Sequence, residues 1–192
     1  MINDPNCSGC SACFNICPQR CISMVEDKEG FLYPRINKEK CINCGLCKKA
    51  CPALATDKYV VPSTFYACKS KNEELRSKSS SGGVFSSLAE YVIHNNGVVF
   101  GAAFNRNMEL SHIGVNKKED LSKLMGSKYL QSDLKNTFNE VKTYLCNNRF
   151  VLFSGTPCQV AGLKAYLQDD YKNLYLADLA CHGVPSPKIF TY

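Results

Sequence analysis

Eight cysteines fall into two matching runs: Cys7-x2-Cys10-x2-Cys13-x3-Cys17-Pro18 and Cys41-x2-Cys44-x2-Cys47-x3-Cys51-Pro52. Three thiolates at this close spacing wrap one corner of a [4Fe–4S] cube. The small residues between them (Ser8, Gly9, Ser11, Ala12, Gly45) suit a backbone that bends tightly and aims its N–H groups at sulfur. Pro18 and Pro52 close the runs, because proline cannot continue a hydrogen-bonded turn. A disulfide framework fits less well: the residues ahead of Cys7 are polar and do not resemble a signal peptide. Structural zinc favours paired CxxC motifs with four ligands in all, a poorer match to these runs.

The run is similar to that of bacterial ferredoxins, in which the fourth cysteine reaches across to the other cube. On that reading Cys7, Cys10, Cys13 and Cys51 hold one cluster, and Cys41, Cys44, Cys47 and Cys17 the second. Cys21 is the odd thiol of this segment and reads as a small buried hydrophobe under a cluster. Phe14, Phe31 and Tyr33 either shield the cubes from water or simply pack a core.

Composition narrows the partners. In 192 residues with 45% hydrophobic content, the longest uninterrupted apolar run is about Val98 to Phe104, far short of a membrane span. The expectation is a cytoplasmic protein whose reducing surroundings keep the thiols available for iron. The formal charge of +6 falls to roughly +2 once two cubes of about −2 each are added. No arginine-rich stretch or basic–aromatic alternation points to nucleic acid.

The elements that position these groups follow in order. The fold class expected is α+β: a ferredoxin-like 2[4Fe–4S] domain over 1–55, a connector over 56–65, and a partial α/β flavin-type domain over 66–192. In the first, Cys21–Val25 and Phe31–Tyr33 read as paired strands around a Glu26–Gly30 turn. In the second, Tyr66–Cys68 reads as a short strand and Asn72–Lys78 as a solvated stretch. A helix runs over 84–93, with serines as N-cap and Gly97 ending it; His94 lies in its last turn. Val98–Phe104 is a buried strand, and 112–115 a more exposed one with His112 on its rim. Lys117–Leu124 reads as a short helix and Asp133–Leu145 as a longer one, with Cys146 structural at its end. Phe150–Phe153, the turn Ser154–Pro157 and the helix Cys158–Leu167 form an α/β unit, with Thr156 as N-cap and Pro157 first in the helix. Leu174–Leu179 is then a parallel strand by the right-handed crossover rule.

In an open α/β sheet, ligands sit beyond the carboxyl ends of the strands. Three motifs fall there: Ser79–Gly83, Ser154–Cys158 and Asp178–Gly183. Ser81, Gly82 and Gly83, ahead of a helix, either offer N–H groups to a phosphate or form a plain helix entry. Lys128 reads as a cationic contact to flavin or phosphate, or as a solvated lysine. Cys158, favoured as thiolate by its helix dipole, and Cys181, beside His182, read as ligands of a further [4Fe–4S] cluster, as flavin neighbours, or as packing. The absence of CxxCH excludes a c-type haem signal at His182.

At these residues the chain resembles the coenzyme F420 hydrogenase/dehydrogenase beta-subunit family. The matching stretches are 79–85 (SSSGGVF), 126–132 (GSKYLQS), 155–159 (GTPCQ) and 178–186 (DLACHGVPS). A ferredoxin module in front is one of that family's layouts. The resemblance implies an oxidoreductase with FAD, passing electrons between a two-electron carrier and iron–sulfur clusters. That carrier is coenzyme F420 in some relatives and another substrate elsewhere, and a redox partner protein or subunit is expected. Thr156, Cys158 and Cys181 fall among its cofactor-side motifs. Family members run well past Tyr192, so the 192 residues read as an N-terminal part. A reading of a different class is a ferredoxin-type electron carrier whose second domain only docks a partner enzyme.

Overall fold

A computed structural model describes residues 6–55 and 64–190. The first segment is built on two short strands, β1 (Ile22–Glu26) and β2 (Leu32–Ile36), paired antiparallel with Ile22 opposite Ile36. Asp27 makes the turn between them by accepting the N–H groups of Glu29 and Phe31, both at 2.9 Å. One short helix carries the third cysteine of each run: α1 (Ala12–Ile16) with Cys13 and α2 (Leu46–Lys49) with Cys47.

The second segment holds α3 (Glu73–Ser77), α4 (Val84–His94), β3 (Val98–Phe104), β4 (Leu110–Val115), α5 (Thr137–Cys146), β5 (Val151–Gly155), α6 (Pro157–Leu167) and β6 (Leu174–Asp178). Its sheet runs β4-β3-β5-β6, antiparallel between β3 and β4 and parallel across β3, β5 and β6. Strands buried on both faces read as continuous apolar runs, and β3 and β5 show why. Val98, Phe100, Val151 and Phe153 face α5 and α6, against Phe138, Val141 and Leu163. The alternate residues Val99, Ala103 and Leu152 face α4, against Ala89 and Val92. Phe153 is fully buried with Phe138 edge-on at 5.9 Å, so Phe153→Ala costs about 3–5 kcal/mol. Ala12 of α1 enters the same core, so the cysteine segment packs directly on the α5–α6 face.

Several local expectations change. Tyr66–Cys68 pairs with no strand, and Tyr66 is exposed. The solvated stretch at 72–78 contains α3, nucleated because the Asn72 side chain accepts the Leu75 N–H at 3.0 Å. The N-cap of α4 is not a serine but Gly83, at a left-handed φ of 72°. Ser79, the candidate cap, instead donates to the Leu75 carbonyl (2.7 Å) and bonds the buried Ser86 hydroxyl (2.7 Å). Residues 118–123 form a 3-10 rather than an α turn, and α5 starts only at Thr137. Residues 187–190 form a 3-10 turn. The connector expected at 56–65 lies outside the described residues except for Thr64 and Phe65.

His112 is the largest correction. It is 5% exposed, because the segment after residue 129 returns alongside β4. The His112 N–H donates to the Asp133 carbonyl and the Asp133 N–H to Leu110, covering the edge where a rim residue was expected. Among the described residues no helix is long and apolar enough to cross a membrane.

Candidate iron–sulfur site and the turn that faces it

The two runs repeat in backbone as well as in sequence. Gly9 and Asn43, each two residues after the first cysteine of its run, have φ of 67° and 54°. Ser11 and Gly45, each one residue after the second cysteine, have φ of 59° and 76°. Left-handed residues at equal offsets turn both loops the same way, and α1 and α2 start at equal offsets too.

Cys7, Cys10, Cys13, Cys51 and Cys47 line one cavity. Ile22, Ile36 and Leu54 supply its apolar wall. Among the described residues no three Cys, His, Asp or Glu side chains surround a single ion position. Thiols that line a cavity match ligands carried on the separate irons of a cube.

Burial and neighbouring sulfurs both act on these thiols. Burial pushes the Cys10 thiol up to about 11, and the charges of Cys158, Cys51 and Cys7 add to the rise. Burial likewise pushes Cys13 up to about 12, with Cys10, Cys7 and Cys51 contributing. In the other group burial raises Cys47, with Cys44 and Cys17 as its charged neighbours. Burial opposes the Cys17 thiolate too, but backbone N–H groups of Cys21, Gln19 and Arg20 and the Cys21 side chain hold it below its ordinary value. Of the small loop residues, Ala12 aims its N–H at the Cys10 sulfur; those at Cys17 come from beyond Pro18. Where burial and like charge keep thiols protonated, a coordinating metal reverses the balance and drives the proton off.

Cys21 is buried, with its sulfur 3.4 Å from that of Cys17. Its S–H donates toward the Cys17 sulfur, and that bond pushes the Cys21 thiol up to about 11.

The second segment meets this site through α6. Pro157 opens the helix, and the Gln159 side chain accepts the Thr156 N–H at 3.0 Å, fixing the turn after β5. Cys158 lies in that first turn, 3.1 Å from the Thr156 hydroxyl. One helical turn on, a Cβ at Gly162 would lie 3.0 Å from the Cys10 sulfur.

The other candidate residues divide. The Ser127 N–H donates to Ser80 at 2.9 Å, so the 79–83 and 126–129 loops do meet. Gly82, however, is spent on close approach, since a Cβ there would sit 2.8 Å from the Cys68 carbonyl oxygen. Ser81 is exposed beside it. The Lys128 ammonium donates to the Met125 and Gly126 carbonyls of its own loop, at 2.7 and 3.0 Å, rather than reaching the glycines. Cys181 is exposed and accepts the Gly183 N–H at 3.4 Å; it is not hydrogen-bonded to Cys158. His94 and His182 are exposed.

Sequence reasoning passed over Gln131 and Gly162. The Gln131 amide pairs with Leu32 in both directions, accepting its N–H at 2.7 Å and donating to its carbonyl at 3.4 Å. Gly162 announces itself only as a glycine inside a helical pattern, a mark of close approach.

Three comparisons bear on this arrangement. Residues 6–55 match a family described as 4Fe-4S dicluster domain, and a second family of the same description matches residues 33–96. Residues 65–138 match the family described as coenzyme F420 hydrogenase/dehydrogenase, beta subunit N-term. An uncharacterized ferredoxin of Methanocaldococcus jannaschii is 42% identical over 48 residues, 24% of this chain and 26% of that protein. An uncharacterized polyferredoxin-like protein of the same organism is 34% identical over 68 residues, 29% of this chain and 38% of that one. The fold is also similar to a chain in the F420-reducing [NiFe] hydrogenase complex of Methanosarcina barkeri. There the TM-score is 0.52 at 20% identity, covering 64% of this chain and 45% of that one. Two adjoining stretches of the chain are thus similar to two different families, residues 6–55 to a 4Fe-4S dicluster domain and residues 65–138 to the N-terminal part of the coenzyme F420 hydrogenase/dehydrogenase beta subunit.

Proposed function

We propose that the chain is an electron-transfer module of an iron–sulfur flavoprotein. One [4Fe–4S] cube is held by Cys7, Cys10, Cys13 and Cys51, the other by Cys41, Cys44, Cys47 and Cys17. The observation that carries the reading is the packing of α6 on the Cys10 loop, where a Cβ at Gly162 would lie 3.0 Å from the Cys10 sulfur. Helix α6 begins at the carboxyl end of β5, the end where open α/β sheets take their ligands. Helix α4 runs straight into β3 through residues 95–97, so its first turn lies at this same end. Two eleven-residue helices thus begin here, and their N-termini favour an anionic group.

FAD fits this end in topology and in the family resemblance. Gly82 and Lys128 give it no support, being spent on the chain's own loops. Bound FAD would take a hydride's two electrons from a carrier such as F420 and release them singly. The chain's part is to hold the first cube beside that crevice and to shield it with the apolar wall of Ile22, Ile36 and Leu54. A partner subunit is proposed to supply or remove the electrons, on the strength of the likeness to a chain of a hydrogenase complex.

Anaerobic reconstitution with iron and sulfide tests the module. Roughly eight irons per chain are expected; about four irons, or tightly held zinc, would overturn the two-cube reading. Flavin fluorescence after denaturation, on the 192 residues and on any longer natural form, tests the FAD. A longer form without flavin would favour a ferredoxin-type carrier that merely docks a partner enzyme.

A further inference from the structure

We infer that His112, Ser132 and Gln159 form a closed polar ring that positions the Cys158 turn against the first cysteine group. All three side chains are buried, at 5%, 8% and 7% exposure, and none belongs to the candidate cofactor site. His112 Nε2 lies 3.0 Å from the Ser154 carbonyl oxygen, which only accepts, so Nε2 carries the proton. Nδ1 must then accept, and the Ser132 hydroxyl, 3.0 Å away, donates to it. The Ser132 oxygen accepts from Gln159 Nε2 at 2.9 Å. Gln159 Oε1 accepts the Thr156 N–H at 3.0 Å, returning the chain to within two residues of its start.

Every donor and acceptor in this ring has one direction, so the turn Ser154–Thr156 is held from both sides. Its next residues are Pro157 and Cys158. The residue before Ser132 is Gln131, whose amide grips Leu32 of the cysteine segment in both directions. Residues 131 and 132 therefore tie the cluster-bearing segment and the cluster-facing turn to one piece of backbone. A buried network in which each member is satisfied specifies one geometry. Here the geometry fixed is the start of α6, the helix whose Gly162 stands against the Cys10 sulfur one turn beyond Cys158. His112, Ser132 and Gln159 are positioning residues, acting through the turn, and the inference rests on the reading that Cys7, Cys10, Cys13 and Cys51 hold a cube.

The test uses the 192-residue chain reconstituted anaerobically. His112→Phe keeps the stacking of the ring on Phe153, now 5.4 Å between centroids and 18° from parallel, while deleting both hydrogen bonds. His112→Gln restores a donor and an acceptor at similar reach. The paramagnetic spectrum and midpoint potential of each cube are measured, with the second cube as internal reference. Alkylation of Cys158 by iodoacetamide is followed by peptide mass. In His112→Phe the first cube's spectrum and potential shift, the second cube's do not, and Cys158 alkylates several-fold faster; His112→Gln moves all three back toward wild type. Ser132→Ala, which removes only a hydroxyl, gives the same direction if His112→Phe does not fold. A folded His112→Phe protein with an unaltered first cube and unaltered Cys158 alkylation would overturn the inference. Equal changes at both cubes without rescue would overturn it too, as general loosening. If wild-type protein binds no cubes, the iron count shows that reading to fail, and the Cys158 alkylation rates alone then decide the ring.

Discussion

Gly162 stands against Cys10. A Cβ added at position 162 would lie 3.0 Å from the Cys10 sulfur and 3.3 Å from its carbonyl oxygen. Glycine inside a helix costs about 1 kcal/mol relative to alanine, so close approach is what this glycine provides. Gly162→Ala should raise intrinsic helix propensity yet displace the Cys10 loop. The expected result is an altered spectrum for the first cube and an unaltered second cube. Gly162→Val should go further, lowering iron from roughly eight to roughly four per chain. Full iron content and a wild-type spectrum in Gly162→Val would show that α6 does not press on the cluster loop.

Crossing of the ligands is separable by mutation. Cys51 lines the same cavity as Cys7, Cys10 and Cys13, and Cys17 is among the sulfurs that act on Cys47. Cys51→Ala should therefore damage the cube of the first run, although Cys51 belongs to the second. Cys17→Ala should damage the cube of the second run. Paramagnetic resonance of the two reduced mutants distinguishes the cubes, and loss of the cube nearer in sequence in both would refute the crossing.

What was legible in the sequence follows from what is local. The cysteine runs and the strands β3, β5 and β6 carry their information in short spacings and apolar runs, and the structure places those strands as expected. The Thr156–Pro157 helix entry was equally readable, because capping involves residues three apart. His112 was not: nothing within ten residues of it reveals that Ser132 and Ser154 will bury it. The contacts of Lys128 and Gly82 were likewise not readable from their residue types. A lysine and a glycine near a helix entry suit an anion; in the structure Lys128 bonds carbonyls two and three residues back in its own loop, and Gly82 closely meets the Cys68 carbonyl. Gln131 lies within a stretch that was noticed, yet its partner Leu32 is 99 positions away.

That long-range tie gives its own prediction. Gln131→Ala removes both hydrogen bonds to Leu32 and leaves the Leu32 N–H, part-buried, without its partner. An orphaned buried donor costs about 1–3 kcal/mol. Gly9 packs against the same amide, since a Cβ there would fall 2.7 Å from Gln131 Nε2. The loop of the first run should therefore loosen as well, and its cube should be lost faster to a chelator than the second. Equal chelation rates for the two cubes would count against a specific tie between the segments.

The last prediction concerns acid. Burial pushes His112 down to about 4 from an ordinary 6.5, with the Ser154 carbonyl opposing only in part. The groups that bond or stack on it, Ser132, Ser154 and Phe153, carry no charge, so no neighbour compensates an imidazolium. The unfolded chain thus takes up a proton below pH 6.5 that the folded chain refuses until about pH 4. Because the unfolded state binds more protons in that window, folding stability falls as pH falls through it. At 1.36 kcal/mol per unit the loss amounts to about 3 kcal/mol, complete near pH 4 and absent above pH 6.5. Thiol protonation also weakens iron binding in acid, so the comparison must be between proteins that differ only at position 112. His112→Gln keeps a donor and an acceptor but cannot titrate. Denaturant midpoints of iron-loaded wild type and His112→Gln, taken at intervals from pH 7.5 to 4.5, should converge as the pH drops, because only the wild type carries this loss. Parallel curves across that range would show that His112 is not held neutral by the fold.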